Sequence, residues 1–255
     1  MFNEGNMSDM RFNSSRLGSV AGVNARSMDQ GLRQYMLGVY NYMTLSLAIT
    51  GLSALATNMV TVTQDEAGLH LTSAGYALYH SPLMWIVMLA PLGILFAMNA
   101  RVSISTLRTL FFVFSALMGV SMSVLLLRYT GQSVTRIFFL TSAAFGSLSL
   151  YGYTTRKDLS AMGSFMIMGL FGIIIASLIN LFMQSSQMQF MLSVLTILVF
   201  SGLTAWDTQA IKQMYFAGDS YDDVQRKSIH GAVQLYLDFL NMFQALLALF
   251  GDRRN

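Results

Sequence analysis

Residues 199–215 read VFSGLTAWDTQAIKQMY. The run is apolar and helix-like, yet it carries a carboxylate, Asp207, whose only nearby cation is Lys212, five residues on. A charge in such a setting is either buried at a cost or aimed at something. What surrounds it along the chain decides which solvent this protein is built for.

The 255 residues are 54% hydrophobic and 11% charged, with a mean hydropathy of +0.53. A soluble domain carries about 25% charged residues. So few charges cannot clothe a water-facing surface of this size, and the bilayer must serve as solvent for much of it. A pI near 9.2 would point to nucleic acid in a soluble protein. Here the net charge is only +3, and basic residues have a topological use, so no nucleic-acid partner is expected. Without cysteine, disulfides, thiolate metal sites and cysteine nucleophiles are excluded.

Crossing the hydrocarbon as a helix takes about 20 mainly apolar residues. Runs of that size fall near 33–60, 82–100, 106–127, 134–154, 160–183, 188–213 and 229–250, and the connectors between them hold breakers or charges. The expected fold is therefore an all-α integral membrane protein of seven transmembrane helices over residues 29–255. Residues 1–28, polar and without a secretory signal, read as a flexible cytoplasmic tail. The longest connector, about 61–81, holds Asp65, Glu66, His70 and His80, whose spacing matches no helical ligand pair and reads as a solvated loop.

With the N-terminus cytoplasmic, Lys and Arg divide eleven inside to four outside. The bias predicts N-inside and C-outside, against the preference of Arg253 and Arg254 in the short tail. Ser115, Gly119 and Ser123 recur every four residues on one face, with Gly146, Gly169 and Gly172 similarly small, as expected where helices approach closely.

Two carboxylates lie within spans: Asp207, and Asp238 in AVQLYLDFLNMFQALLALF. Placing a charge at mid-bilayer costs roughly 2.5–3.5 kcal/mol on insertion scales, so such groups face a partner or a wet cavity. Thr204 and Thr208 share a face with Asp207, and Gln234 and Asn241 form a polar stripe with Asp238. By helical rise Asp207 lies about 7–8 Å above Lys212 and Asp238 about 13 Å in from Ile229. Arg101 ends the second span, so all three groups occupy the cytoplasmic half, where they could cluster. The plainer alternatives are a snorkelling anchor for Arg101 and local hydrogen bonding for a single aspartate.

AWDTQAIKQMY and LYLDFLNMFQALLALFG, with FAMNARVS ahead of FSALMGVSMS, resemble the Bax inhibitor-1 (transmembrane Bax inhibitor motif) family, most of all its bacterial members, over nearly all of residues 30–251. The resemblance implies seven helices with the last one central and wrapped by the other six. It also implies a pH-sensitive calcium leak in the bacterial inner (plasma) membrane, with the C-terminus periplasmic. Asp207 and Asp238 fall on the family's proton-sharing pair, and Arg101 on its latch arginine, although NARVS carries only that one basic residue. Carboxylates in contact resist full ionisation, so a shared proton can control helix separation. Calcium, an oxygen-seeking cation, suits transient contact with Asp207 and Asp238 and needs no cofactor.

A second reading, from another class, is a regulator that docks on a membrane protease through its N-terminal tail. A third, an intramembrane aspartyl protease, would also place one Asp on each of two neighbouring spans. The contexts Trp206-Asp207 and Leu237-Asp238 do not match the usual Tyr-Asp and Gly-x-Gly-Asp, so no enzyme is expected.

Overall fold

In the computed structural model the described residues are 5–65, 68–100 and 102–254, with side chains described from residue 29 onward except at 64, 65 and 68. The expected tail at 1–28 therefore falls on side chains outside the described residues, as does Arg101. The chain runs α1 (Gly5–Thr61), β1 (Val62–Asp65), β2 (Gly68–Leu71), α2 (Ser73–His80), α3 (Leu83–Met98), α4 (Ile104–Arg128), α5 (Gly131–Thr154), α6 (Ser160–Met183), α7 (Ser186–Gln213) and α8 (Tyr221–Phe250).

Among the described residues, six helices are long and apolar enough to cross a membrane: α1 over Asp29–Thr61, and α4 to α8. The second expected span is different. At about 1.5 Å per residue, α3 rises roughly 24 Å, short of a hydrocarbon core of about 30 Å. It joins α2 across a 63° bend, and only as one broken span does that pair bring the total to seven. The break has a local cause. Pro82 pushes Ser81 into extended backbone (φ −112°, ψ 171°), ending α2.

The connector read as a solvated loop folds instead. Strands β1 and β2 pair antiparallel with Val62 opposite Leu71, and the Thr72 amide returns to the Thr61 carbonyl at 3.0 Å. The hairpin thus closes onto the end of α1. Thr72 then caps α2, its hydroxyl accepting from the Gly75 amide.

Helix α8 is the most buried of the candidate spans. Ser220 caps it by accepting from the Asp223 amide at 3.2 Å, and Asp222 and Asp223 sit where the helix dipole favours negative charge. Its principal neighbours are α7, α1, α5 and α4, whereas α3 is carried by α4 and α6 by α7. Aromatic contacts fix it in place. Phe111 and Phe114 of α4 meet Tyr236 edge-on at 5.9 and 5.7 Å, and Phe138 and Phe145 of α5 meet Phe239 at 5.5 and 5.6 Å. The Tyr236 hydroxyl, fully buried, bonds Thr50 Oγ1 of α1 at 2.7 Å.

Close helix approach rests on particular glycines. A Cβ at Gly119 would overlap the Thr50 carbonyl oxygen, and one at Gly152 would overlap that of Ala205. Small residues thus bring α1 onto α4 and α5 onto α7. Gly146 and Gly172, expected to play the same part, face open space instead. Large apolar side chains such as Phe96, Met168 and Phe182 point outward, as a lipid-facing surface requires.

Candidate functional site: a buried carboxyl pair between the last two helices

Asp207 and Asp238 come from α7 and α8, adjacent along the chain and packed side by side. Both are sequestered, with 3% and 4% of their surface exposed. Their carboxyl groups lie within side-chain hydrogen-bonding reach of each other. An ionised carboxylate only accepts, so a carboxyl–carboxyl hydrogen bond needs a proton on one of them. Gln234, one turn before Asp238, donates its Nε2 to Asp207 Oδ1 at 2.5 Å. Asp238 Oδ2 is buried without a partner among the described residues. An unmatched polar atom in a dry interior is costly, and it marks this pair as more than packing.

Lys212 does not neutralise the pair. Its Nζ turns to the Tyr153 carbonyl at the end of α5, 2.8 Å away, and lies 4.9 Å from that residue's ring centroid. The connector around Arg101 is tied to α8, since Arg226 Nη2 donates to the Val102 carbonyl at 2.8 Å. Asp219 in the acidic loop pairs with Lys227 at 2.6 Å.

The expected polar face separates into parts. Gln234 touches the acid pair directly. Thr208 leads sideways: its hydroxyl meets Ser149 Oγ of α5 at 2.9 Å, which meets the Tyr40 hydroxyl of α1 at 2.5 Å. Thr204 bonds the Phe200 carbonyl of its own helix and sits 3.6 Å from Met242 Sδ. No hydrogen bond links Asn241 to the acid pair among the described residues. Its Nδ2 donates to the Leu237 carbonyl at 2.8 Å, and it lines a polar cavity of about 900 Å³ with Asn180, Gln189 and Arg128. Seven residues on from Gln234, Asn241 keeps that face of α8 but lies about 10 Å further along the axis, level with the start of α7.

Sequence reasoning missed Tyr40, Ser149 and Gln209. Gln209 clasps the α5–α6 connector, accepting from the Leu159 amide at 2.9 Å and donating to the Lys157 carbonyl at 2.8 Å. Its place two residues after Asp207 in an otherwise apolar run was the available signal. Tyr40 and Ser149 had none, because their partners lie on other helices. No group of three or more His, Asp or Glu side chains comes together as a metal site among the described residues.

An α-helical membrane protein whose two most central acids meet between its last two spans is a narrow class. The sequence matches the family model described as inhibitor of apoptosis-promoting Bax1 over residues 32–255. A protein of Rickettsia prowazekii is 46% identical over 90% of this chain and 94% of its own length. One of Caulobacter vibrioides is 42% identical over 89% and 92%. The inner membrane protein YbhL of Escherichia coli is 38% identical over 88% and 94%. The chain belongs to the Bax inhibitor-1 family of membrane proteins.

Proposed function

We propose that this protein is a pH-sensitive calcium leak of the bacterial inner membrane, gated by the Asp207–Asp238 pair. The observation that carries the reading is the buried carboxyl-to-carboxyl contact between α7 and α8. One shared proton holds the two helices together. Its loss places like charges side by side in a dry interior, where their repulsion is poorly screened and α7 separates from α8. Two carboxylates, Gln234 and Thr208 then offer oxygen atoms to a passing cation. Binding through one oxygen each, they give four donors, fewer than the six to eight of a resident calcium site, as suits transit. Arg101, by its place in the chain, supplies the positive charge that competes with the proton for Asp207.

In this reading α8 is the axis against which the other helices move, and no catalytic step is assigned to any residue. The N-terminus is cytoplasmic and the C-terminus periplasmic, on the eleven-to-four division of basic residues. YbhL, an inner membrane protein by name, supports the choice of membrane.

The test is calcium flux into liposomes across a pH series for the wild type, Asp207→Asn and Asp238→Asn. The expected result is flux that rises with pH in the wild type and loses that dependence in both variants. An unchanged pH profile in Asp207→Asn overturns the reading. Removing residues 1–28 leaves flux intact if the protein is a leak, and removes protease capture if it is a docking regulator.

A further inference from the structure

Helix α1 packs on α4 and α8, and α5 packs on α7 and α8, while α1 and α5 share few contacts besides the part-buried Tyr40–Ser149 hydrogen bond. Between them lies an elongated groove of about 1500 Å³ whose floor includes Phe239, Leu240 and Phe243 of α8. Along α1 its lining runs from Arg33 to Leu55. At about 1.5 Å per residue that is roughly 33 Å, the full height of the hydrocarbon core. Gly51 of α1 and Gly146 of α5 both line it, and a Cβ at either would meet nothing within 4 Å. The space is real, and it opens sideways into the bilayer, where it must be filled.

Shape and charge select the occupant. The groove's lining is apolar along almost its whole height and charged at one end only, the pattern of acyl chains beneath a charged head group. Charge is confined to one end. Arg33 is the one charged side chain in the lining, and it is exposed with no hydrogen bond or ion pair among the described residues. Tyr153 lines the same end, and the Lys212 ammonium sits on its carbonyl, adding to the positive potential there. Towards Gly131 and Val134, the far end, the lining carries no charge.

We propose that this groove binds an anionic phospholipid, with its acyl chains lying against α1, α5 and α8 and its phosphate paired with Arg33. A guanidinium at a membrane face suits a phosphate oxygen pair, which a lysine would meet only as a point charge. The head group then lies at the membrane face that holds the N-terminal end of the α1 span. Such binding is independent of any ion flux.

Native mass spectrometry of the full chain in detergent tests this with phosphatidylglycerol and phosphatidylcholine of matched chains. Wild type is expected to retain phosphatidylglycerol in preference by about fivefold, the contribution of one basic residue facing an anionic surface. Arg33→Gln should keep lipid binding and lose the preference. Gly51→Leu with Gly146→Leu fills the groove and should release the lipid, while millimolar inorganic phosphate should not displace it. A phosphatidylglycerol with a photoreactive chain should label peptides of α1 and α5 in the wild type, a readout that stands even if the filled variant fails to fold. Equal retention of the two lipids by the wild type, displacement by free phosphate, or labelling confined to other helices overturns the proposal. So does a membrane-protein helix cross-linked in the groove in place of lipid.

Discussion

The ammonium of Lys212 turns away from Asp207 and caps the Tyr153 carbonyl at 2.8 Å. The cation five residues from the acid is thus a helix-end device for α5, and on the proposed reading a proton, not this lysine, balances the Asp207–Asp238 pair. Lys212→Met is therefore expected to leave the pH profile of calcium flux in place. Its cost falls on stability, about 1 kcal/mol for one lost hydrogen bond to a half-exposed group. Thermal unfolding in detergent measures the second effect, and a flux profile that moves with the substitution would return Lys212 to the site.

On the proposed reading, the sign of the pH dependence follows from a proton shared by Asp207 and Asp238. Below the titration of the pair one carboxyl donates to the other and α7 stays against α8. As pH rises the proton leaves, two anions face each other, and the closed arrangement loses its bond. Flux is expected to climb with pH, and Asp238→Asn to hold it at one level, because an amide cannot lose that proton. A profile that falls with pH in the wild type would contradict the scheme.

Among the described residues, Gln234 supplies the one side-chain amide bonded to the pair. Gln234→Leu keeps the volume and removes the donor, leaving Asp207 Oδ1 buried and unmatched. A loss of about 1–3 kcal/mol is expected, the desolvation cost of an unsatisfied polar atom. Gln234→Glu is a sharper probe, since a third carboxyl must either take up a proton or repel the other two. Unfolding midpoints that fall more steeply with pH in Gln234→Glu than in the wild type would report that repulsion.

Much of this arrangement was legible in the sequence, and what escaped did so for physical reasons. The apolar run at 160–183 coincides with α6, because a lipid-facing helix buries little and its composition alone defines it. The acids were placed together by helical faces and depth, both local properties. The hairpin at 62–71 escaped because its strands have four residues each, and a closing contact from Thr72 to Thr61 holds them, not their pattern. Asn241 shares a periodic stripe with Asp238, but a stripe does not say where its edge turns from α7's acid to the polar cavity. Gly146 and Gly119 look alike in sequence. Only the neighbouring helix decides that one is pressed against a carbonyl and the other faces a groove.

Those two kinds of glycine give opposite predictions. Gly119→Ala puts a methyl group into the Thr50 carbonyl at the α1–α4 crossing, with no flexible side chain to yield. The backbones must part, at a cost of about 1–3 kcal/mol or more. Gly172→Ala meets nothing within 4 Å and replaces a poor helix former by a good one, so it should stabilise by about 0.5–1 kcal/mol. Comparing the two unfolding midpoints checks both directions at once.

The C-terminal residues are joined to the α4–α5 turn by backbone more than by charge. Asp252 accepts from the Thr130 amide at 3.0 Å and its own amide donates to Ser133 Oγ at 2.9 Å, while the Arg254 amide donates to the Arg128 carbonyl at 2.9 Å. The accompanying Arg136–Asp252 ion pair, at 3.1 Å, has side chains 62% and 66% exposed. Exposed pairs contribute roughly 0–1 kcal/mol and weaken with salt. Asp252→Asn, which keeps the backbone bonds, is therefore expected to change the unfolding midpoint little at any ionic strength. Deleting residues 252–255 removes all three of these hydrogen bonds and frees the turn beside Arg128, which lines the polar cavity. That deletion should cost about 1–3 kcal/mol and raise hydrogen exchange at residues 128–133. If Asp252→Asn were as damaging as the deletion, and high salt lowered the wild-type midpoint to that of the variant, the ion pair and not the backbone would be what holds the tail.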